Sequence, residues 1–148
     1  MKKKLLKWLS LVLLIFLAAC GQTKKEEPVT FKNQVTQTIN SGQIKGNQDK
    51  ENGVLEWLGI PYAAAPIGYL RWKEPQTLDD WIGTFDASKA GEKFVQFTNG
   101  EVVGTEAALN LDVVRPDTTE AGLPVIVFLH GGNNQTGNAQ EIKGNTFV

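Results

Sequence analysis

A single cysteine, Cys20, excludes an internal disulfide, so packing and hydrogen bonds alone must hold whatever folds here. Histidine is equally scarce. His130 is the only one, and with no second ligand at a suitable spacing it makes a poor metal site; nothing else in the sequence calls for a cofactor. An excess of positive charge is missing as well, since 15 Lys and Arg stand against 16 Asp and Glu. Setting aside Lys2, Lys3, Lys4 and Lys7 leaves 11 basic residues against 16 acidic ones, a balance of −5. Nucleic acid is therefore a poor partner, because phosphate binding needs clustered positive charge. Long apolar runs are absent with one exception near the start, and no internal repeat is present.

That exception is WLSLVLLIFLA, Trp8 to Ala18, which follows the basic stretch MKKKLLK. The run is shorter than the about 20 residues a membrane-spanning helix needs, so the pair reads as the n-region and h-region of a signal peptide over residues 1–19. Leu17-Ala18-Ala19-Cys20 resembles the lipobox of bacterial lipoproteins, which implies that Cys20 is lipidated and becomes the new N-terminus. Residues 20–34 then form a lipid-anchored tether, most polar over GQTKKEEPVT, and the expected location is the bacterial cell envelope, with membrane lipid as a partner through Cys20.

Beyond the tether the pattern is one of strands and turns. VTQTI (35–39) alternates, Ser41-Gly42 turns the chain, and VLEWLGIPY (54–62) follows a polar connection, together predicting a small antiparallel meander. Pro61 and Pro66 end it. Residues 66–99 are loop-rich, and the aromatics Trp72, Trp81 and Phe85 are expected to pin this segment onto a core. Two stronger strands are predicted near the end, ALNLDVVRP (108–116) and LPVIVFLH (123–130). The second lacks alternation and is β-branched, as a central strand covered on both faces would be.

The stretch after that run, His130-Gly131-Gly132-Asn133-Asn134-Gln135-Thr136-Gly137, places glycines where a buried strand ends. Glycine permits close backbone approach, and converging backbone amides are what an oxyanion hole requires. A loop that merely turns the chain has the same composition.

Its surroundings are more specific. Gly59-Ile60-Pro61-Tyr62-Ala63, Pro66-Ile67-Gly68-Tyr69-Leu70-Arg71-Trp72, Pro75, Trp81, Gly83, Leu109-Asn110-Leu111-Asp112-Val113, Arg115-Pro116 and LPVIVFLHGG together resemble the N-terminal part of the type B carboxylesterases, relatives of the cholinesterases and lipases. The resemblance covers residues 35–148. It implies an α/β class, the N-terminal portion of an α/β-hydrolase fold, here mostly β-strands and loops. His130-Gly131-Gly132-Asn133 falls on the family's HGGG loop, so the resemblance assigns the oxyanion amides to Gly132 and Asn133, with His130, Gly131 and Gly137 as loop support. It also implies a buried structural ion pair between Arg71 and Glu106, whose loss would cost on the order of 3 to 5 kcal/mol. The disulfide of secreted eukaryotic members would fall at Phe94 and Ala108, and neither is cysteine.

A complete enzyme of this kind needs a serine on a G-x-S-x-G elbow followed by an acid and a histidine. Ser41, in NSGQ, and Ser88, in ASKA, offer no such elbow, and His130 stands before any nucleophile rather than after it. The expectation is thus the N-terminal portion of a membrane-anchored serine carboxylic ester hydrolase, contributing the oxyanion loop without the triad and inactive alone. Its substrate, once completed, would be a small-molecule carboxylic ester. The alternative is a non-catalytic lipoprotein acting as a binding or interaction module.

Overall fold

The computed structural model describes residues 31–148, whose strands are β1 (Thr36–Ile39), β2 (Gly42–Lys45), β3 (Asn47–Asp49), β4 (Val54–Pro61), β5 (Thr84–Asp86), β6 (Gln96–Thr98), β7 (Glu101–Val103) and β8 (Asn110–Pro116). The expected signal peptide, Cys20 and the tether up to Thr30 lie outside the described residues. Within them, helical geometry is confined to short 3-10 turns, at Gly68–Leu70, Ala139–Glu141 and Gly144–Phe147. No helix among the described residues is long and apolar enough to cross a membrane.

β4 is the strand around which the core forms. Val54 and Leu55 are consecutive and both fully buried, so both faces of the strand are covered at its start, and Trp57 and Ile60 continue the burial. Its neighbours are β3 and β8, both antiparallel. Between Trp57 and Ile60 the register with β8 shifts, so that Leu58 and Gly59 bulge opposite Asp112, whose Oδ1 accepts the Gly59 N–H at 2.7 Å. The turn from β3 to β4 is closed by Asp49, whose Oδ1 accepts the amides of Glu51 and Asn52.

A second sheet has the order β1-β2-β5. β1 and β2 form the expected hairpin, but the predicted single meander is divided between two sheets, because β2 takes β5 as a parallel neighbour rather than β3. Ala87 joins the sheets: its N–H donates to Lys45 and its carbonyl accepts from Leu58. Ile44, Leu55, Trp57, Ile60 and Ala87 form the buried cluster, with Phe31, Val35, Trp81 and Phe85 packed around it. Phe31 meets Trp57 edge to face at 6.5 Å and carries the Arg115 guanidinium 3.5 Å above its ring, so the folded body already begins at Phe31, within the span assigned to the tether.

Trp81 and Phe85 do pin their segment to the core, 5.5 Å apart. Trp72 does not. It is exposed and sits at φ 62°. The end of the segment read as loop-rich, 96–99, joins residues 100–103 in the hairpin β6–β7 around Asn99-Gly100, both with positive φ.

The largest departure is at 123–130, expected to be a central strand. No strand in residues 31–148 takes it as a neighbour, and Val125 to Leu129 are exposed, from 46% at Phe128 to 85% at Leu129. An apolar β-branched run encodes a demand for burial, whereas pairing needs a second strand with free edge groups in register. β8, joined to it by a short connector, pairs with β4 instead.

Candidate functional site

The loop that follows this run turns sharply. Gly132, Asn133 and Asn134 have φ of 117°, 55° and 56°, and the Gly132 carbonyl accepts the amides of Gln135 at 2.9 Å and Thr136 at 3.1 Å. A Cβ at Gly132 would overlap the Thr136 carbonyl oxygen, so glycine is required there. Asparagine tolerates left-handed angles better than most side chains, which explains how two of them carry the turn. The amides of Gly132 and Asn133 donate to no acceptor among the described residues. Loop residues 130–136 are exposed.

Two side-chain contacts fix the exit of the loop. Gly137 donates its N–H to Gln96 Oε1 at 3.0 Å, and its carbonyl accepts from Gln96 Nε2 at 3.0 Å. Three residues on, Gln140 Nε2 donates to Asp112 Oδ2 at 3.2 Å, while the other oxygen of that carboxylate holds the β4 bulge at Gly59. The Asn138 side chain caps the 3-10 turn by accepting from Gln140 N–H. Neither Gln96 nor the bridging of Asp112 was legible in the sequence, since a glutamine in FVQFTNG carries no pattern of its own.

His130 points its Nδ1 at the neighbouring Gly131 carbonyl, 2.8 Å away, and is exposed. With its proton on Nδ1 the ring braces the loop, and no serine among the described residues bonds to it. Ser88 donates its hydroxyl to Asp86 at 2.6 Å, and this bond, with the Ser88 amide next, holds the Asp86 carboxyl below its ordinary value. The hydroxyl's partner is a carboxylate that the same bonds make a weaker base, and no imidazole adjoins it.

Arg71 and Glu106 meet, Nε to Oε1, at 2.7 Å. Burial does not follow: the side chains are 49% and 41% exposed, and the contact is a single bond rather than a paired fork. The energy expected of a half-exposed pair is about 0 to 1 kcal/mol, not the several of a buried one. At the two positions of the absent disulfide, Ala108 is buried while Phe94 is half exposed. Among the described residues no group of three His, Cys, Asp or Glu is placed to hold a metal ion.

The carboxylesterase family profile matches residues 32–148. The chain belongs to that family. This carboxylesterase-family chain is similar to a para-nitrobenzyl esterase of Bacillus subtilis (strain 168), 35% identical over 111 residues, covering 70% of this chain and 22% of the relative. It is also similar to a medium-chain fatty acyl-CoA hydrolase precursor of Anas platyrhynchos, 32% identical over 153 residues, covering 89% of this chain and 26% of the relative. Among solved structures, PNB esterase superposes with a TM-score of 0.64 at 35% identity, over 72% of this chain and 22% of that one. EstA of Aspergillus niger superposes at 0.65 with 26% identity, over 76% of this chain and 22% of that one. The mixed sheets and surrounding loops are those of a partial α/β-hydrolase esterase domain. The chain spans about a fifth to a quarter of the length of these relatives.

Proposed function

We propose that this carboxylesterase-family chain supplies the oxyanion-stabilising loop of a serine carboxylic ester hydrolase. The observation that carries the reading is the turn at Gly132-Asn133-Asn134, which leaves the Gly132 and Asn133 amides without acceptors among the described residues while the exit of the loop is held at Gly137. In acyl transfer a serine oxygen attacks the ester carbonyl, and the carbonyl oxygen takes on negative charge as the carbon becomes tetrahedral. Two N–H donors fixed beforehand stabilise that charge with no reorganisation during the step. Such a step also needs a serine nucleophile with a histidine and an acid, and neither Ser41 nor Ser88 sits on a G-x-S-x-G elbow. By itself the chain is not expected to turn over esters, because among the described residues no serine hydroxyl is paired with a histidine.

Moving His130–Gly137 into the Bacillus subtilis para-nitrobenzyl esterase, in place of its matched loop, tests the reading. Hydrolysis of a para-nitrobenzyl ester is expected to stay within about tenfold of the parent, since the donors are backbone groups. A folded graft slowed by about a thousandfold or more would overturn the assignment.

The basic start, short apolar run and Leu17-Ala18-Ala19-Cys20 support the further proposal that Cys20 is lipidated and holds the domain at a bacterial envelope membrane. Cells expressing the chain with an alkyne fatty acid should yield labelled protein in the membrane fraction, and Cys20→Ser should abolish both label and sedimentation. Equal labelling of the two proteins would exclude the anchor.

A further inference from the structure

Among the described residues Gln96 is the one buried polar side chain, 9% exposed, and each part of its amide is used. Oε1 accepts from Gly137 N–H, and Nε2 donates to the Gly137 carbonyl and, at 3.1 Å, to the Phe94 carbonyl. A primary amide presents a donor and an acceptor side by side, and here they meet both polar groups of one residue as a neighbouring strand would. Gln96 itself is fixed, because its backbone pairs with Val103 in the β6–β7 hairpin, and Thr105 N–H bonds to Lys93 beside it. Gly137 has φ 113°, and a Cβ there would crowd the Gly131 carbonyl oxygen and His130 Nδ1, so the start and the end of the loop lie against each other at this point. Holding Gly137 therefore holds Gly131, and with it the turn that presents the next two amides.

We propose that Gln96 is a positioning residue: its side chain clamps Gly137 and so sets where the Gly132 and Asn133 amides stand when charge develops on the substrate. This rests on the oxyanion reading above. A clamp acting through the loop should lower kcat and leave KM nearly unchanged, because a displaced donor is missed in the transition state more than in the ground state. It also makes a prediction specific to its hydrogen-bond pattern. A neutral carboxyl offers one donor and one acceptor, enough for the two bonds to Gly137 without the third to Phe94, whereas a carboxylate has acceptors only and would face the carbonyls of Gly137 and Phe94.

The first measurement is hydrogen exchange at the Gly137 amide in the full chain. Gln96→Leu should raise that rate about tenfold or more, the amides of β4 and β8 keeping theirs. An unchanged Gly137 rate, or an equal rise throughout the sheets, would overturn the clamp whatever becomes of the esterase reading. The second uses the Bacillus subtilis esterase with residues 31–148 of this chain in place of its matched portion. There Gln96→Leu should reduce kcat at every pH, while Gln96→Glu should recover toward the parent as the pH falls. Each value is taken relative to the parent at that pH, since His130 and Glu141 also lie beside Gly137. If Gln96→Leu and Gln96→Glu leave kcat intact while Asn133→Pro abolishes it, the positioning role fails and the oxyanion loop stands. If Asn133→Pro also leaves kcat intact, the oxyanion reading fails and takes the positioning role with it.

Discussion

Trp57→Ala is expected to lower the unfolding free energy of the described body by about 3 to 5 kcal/mol, the range for removing a large aromatic side chain from a packed interior. Trp57 is 3% exposed in the middle of β4 and touches both sheets of the core. Its ring receives Phe31 edge to face, and its Nε1–H donates to the Val35 carbonyl at 2.7 Å. Val35 also accepts the Gly46 amide, so one indole ties the lead-in to β1, the end of β2 and the central strand together. Truncation opens a cavity and removes one of that carbonyl's two donors. In urea the midpoint should fall by roughly 2 to 3 M for an m-value of about 1.5 kcal/mol/M. Trp57→Phe separates the terms, since it keeps most of the volume and loses only the donor, at about 1 kcal/mol for the bond plus some repacking. A loss below about 1 kcal/mol for the alanine variant would mean that β4 is not the centre of the core.

Asn133→Pro in the grafted esterase is expected to reduce kcat by at least a hundredfold to a thousandfold, the usual consequence of deleting one oxyanion donor. Proline acts twice at this position. It removes the N–H assigned to the oxyanion, and it fixes φ near about −65°, whereas Asn133 sits at 55°. The second effect dismantles the turn that Gly132 closes, so the loss should exceed that of the donor alone. Asn133→Gly supplies the comparison, because glycine keeps the N–H and enters the left-handed region without strain. Turnover near that of the graft for glycine, and collapse for proline, would locate the effect in the backbone. Equal turnover for both would sink the role of residue 133.

How far each element could be read follows from what kind of information it needs. β1, β2, β4 and β8 were legible because alternation, turn residues and β-branched content are local properties. The β6–β7 hairpin was missed: Gln96–Thr98 falls in the segment read as loop, because strands of three residues carry too little alternation to mark them, although Asn99-Gly100 is a turn pair. β5 was missed as well, since three residues, Thr84–Asp86, become a strand only because β2 offers them an edge. The ion pair shows the limit in another form. Arg71 and Glu106 do meet, yet their burial depends on what lies over them, and here both remain half exposed.

The amino-acid sequence by itself determined the family, the strand-forming segments and the chemical character of the loop after Leu129, because these reside in residue type and spacing along the chain. Tertiary structure decided that Gln96 holds Gly137 and that Asp112 joins the β4 bulge to Gln140. It also decided that β4 rather than 123–130 occupies the centre. Residues 96 and 137 are brought within 3.0 Å although 41 positions separate them. A hydrogen bond of that kind depends on where two backbones are placed by everything between them, and no local pattern encodes it.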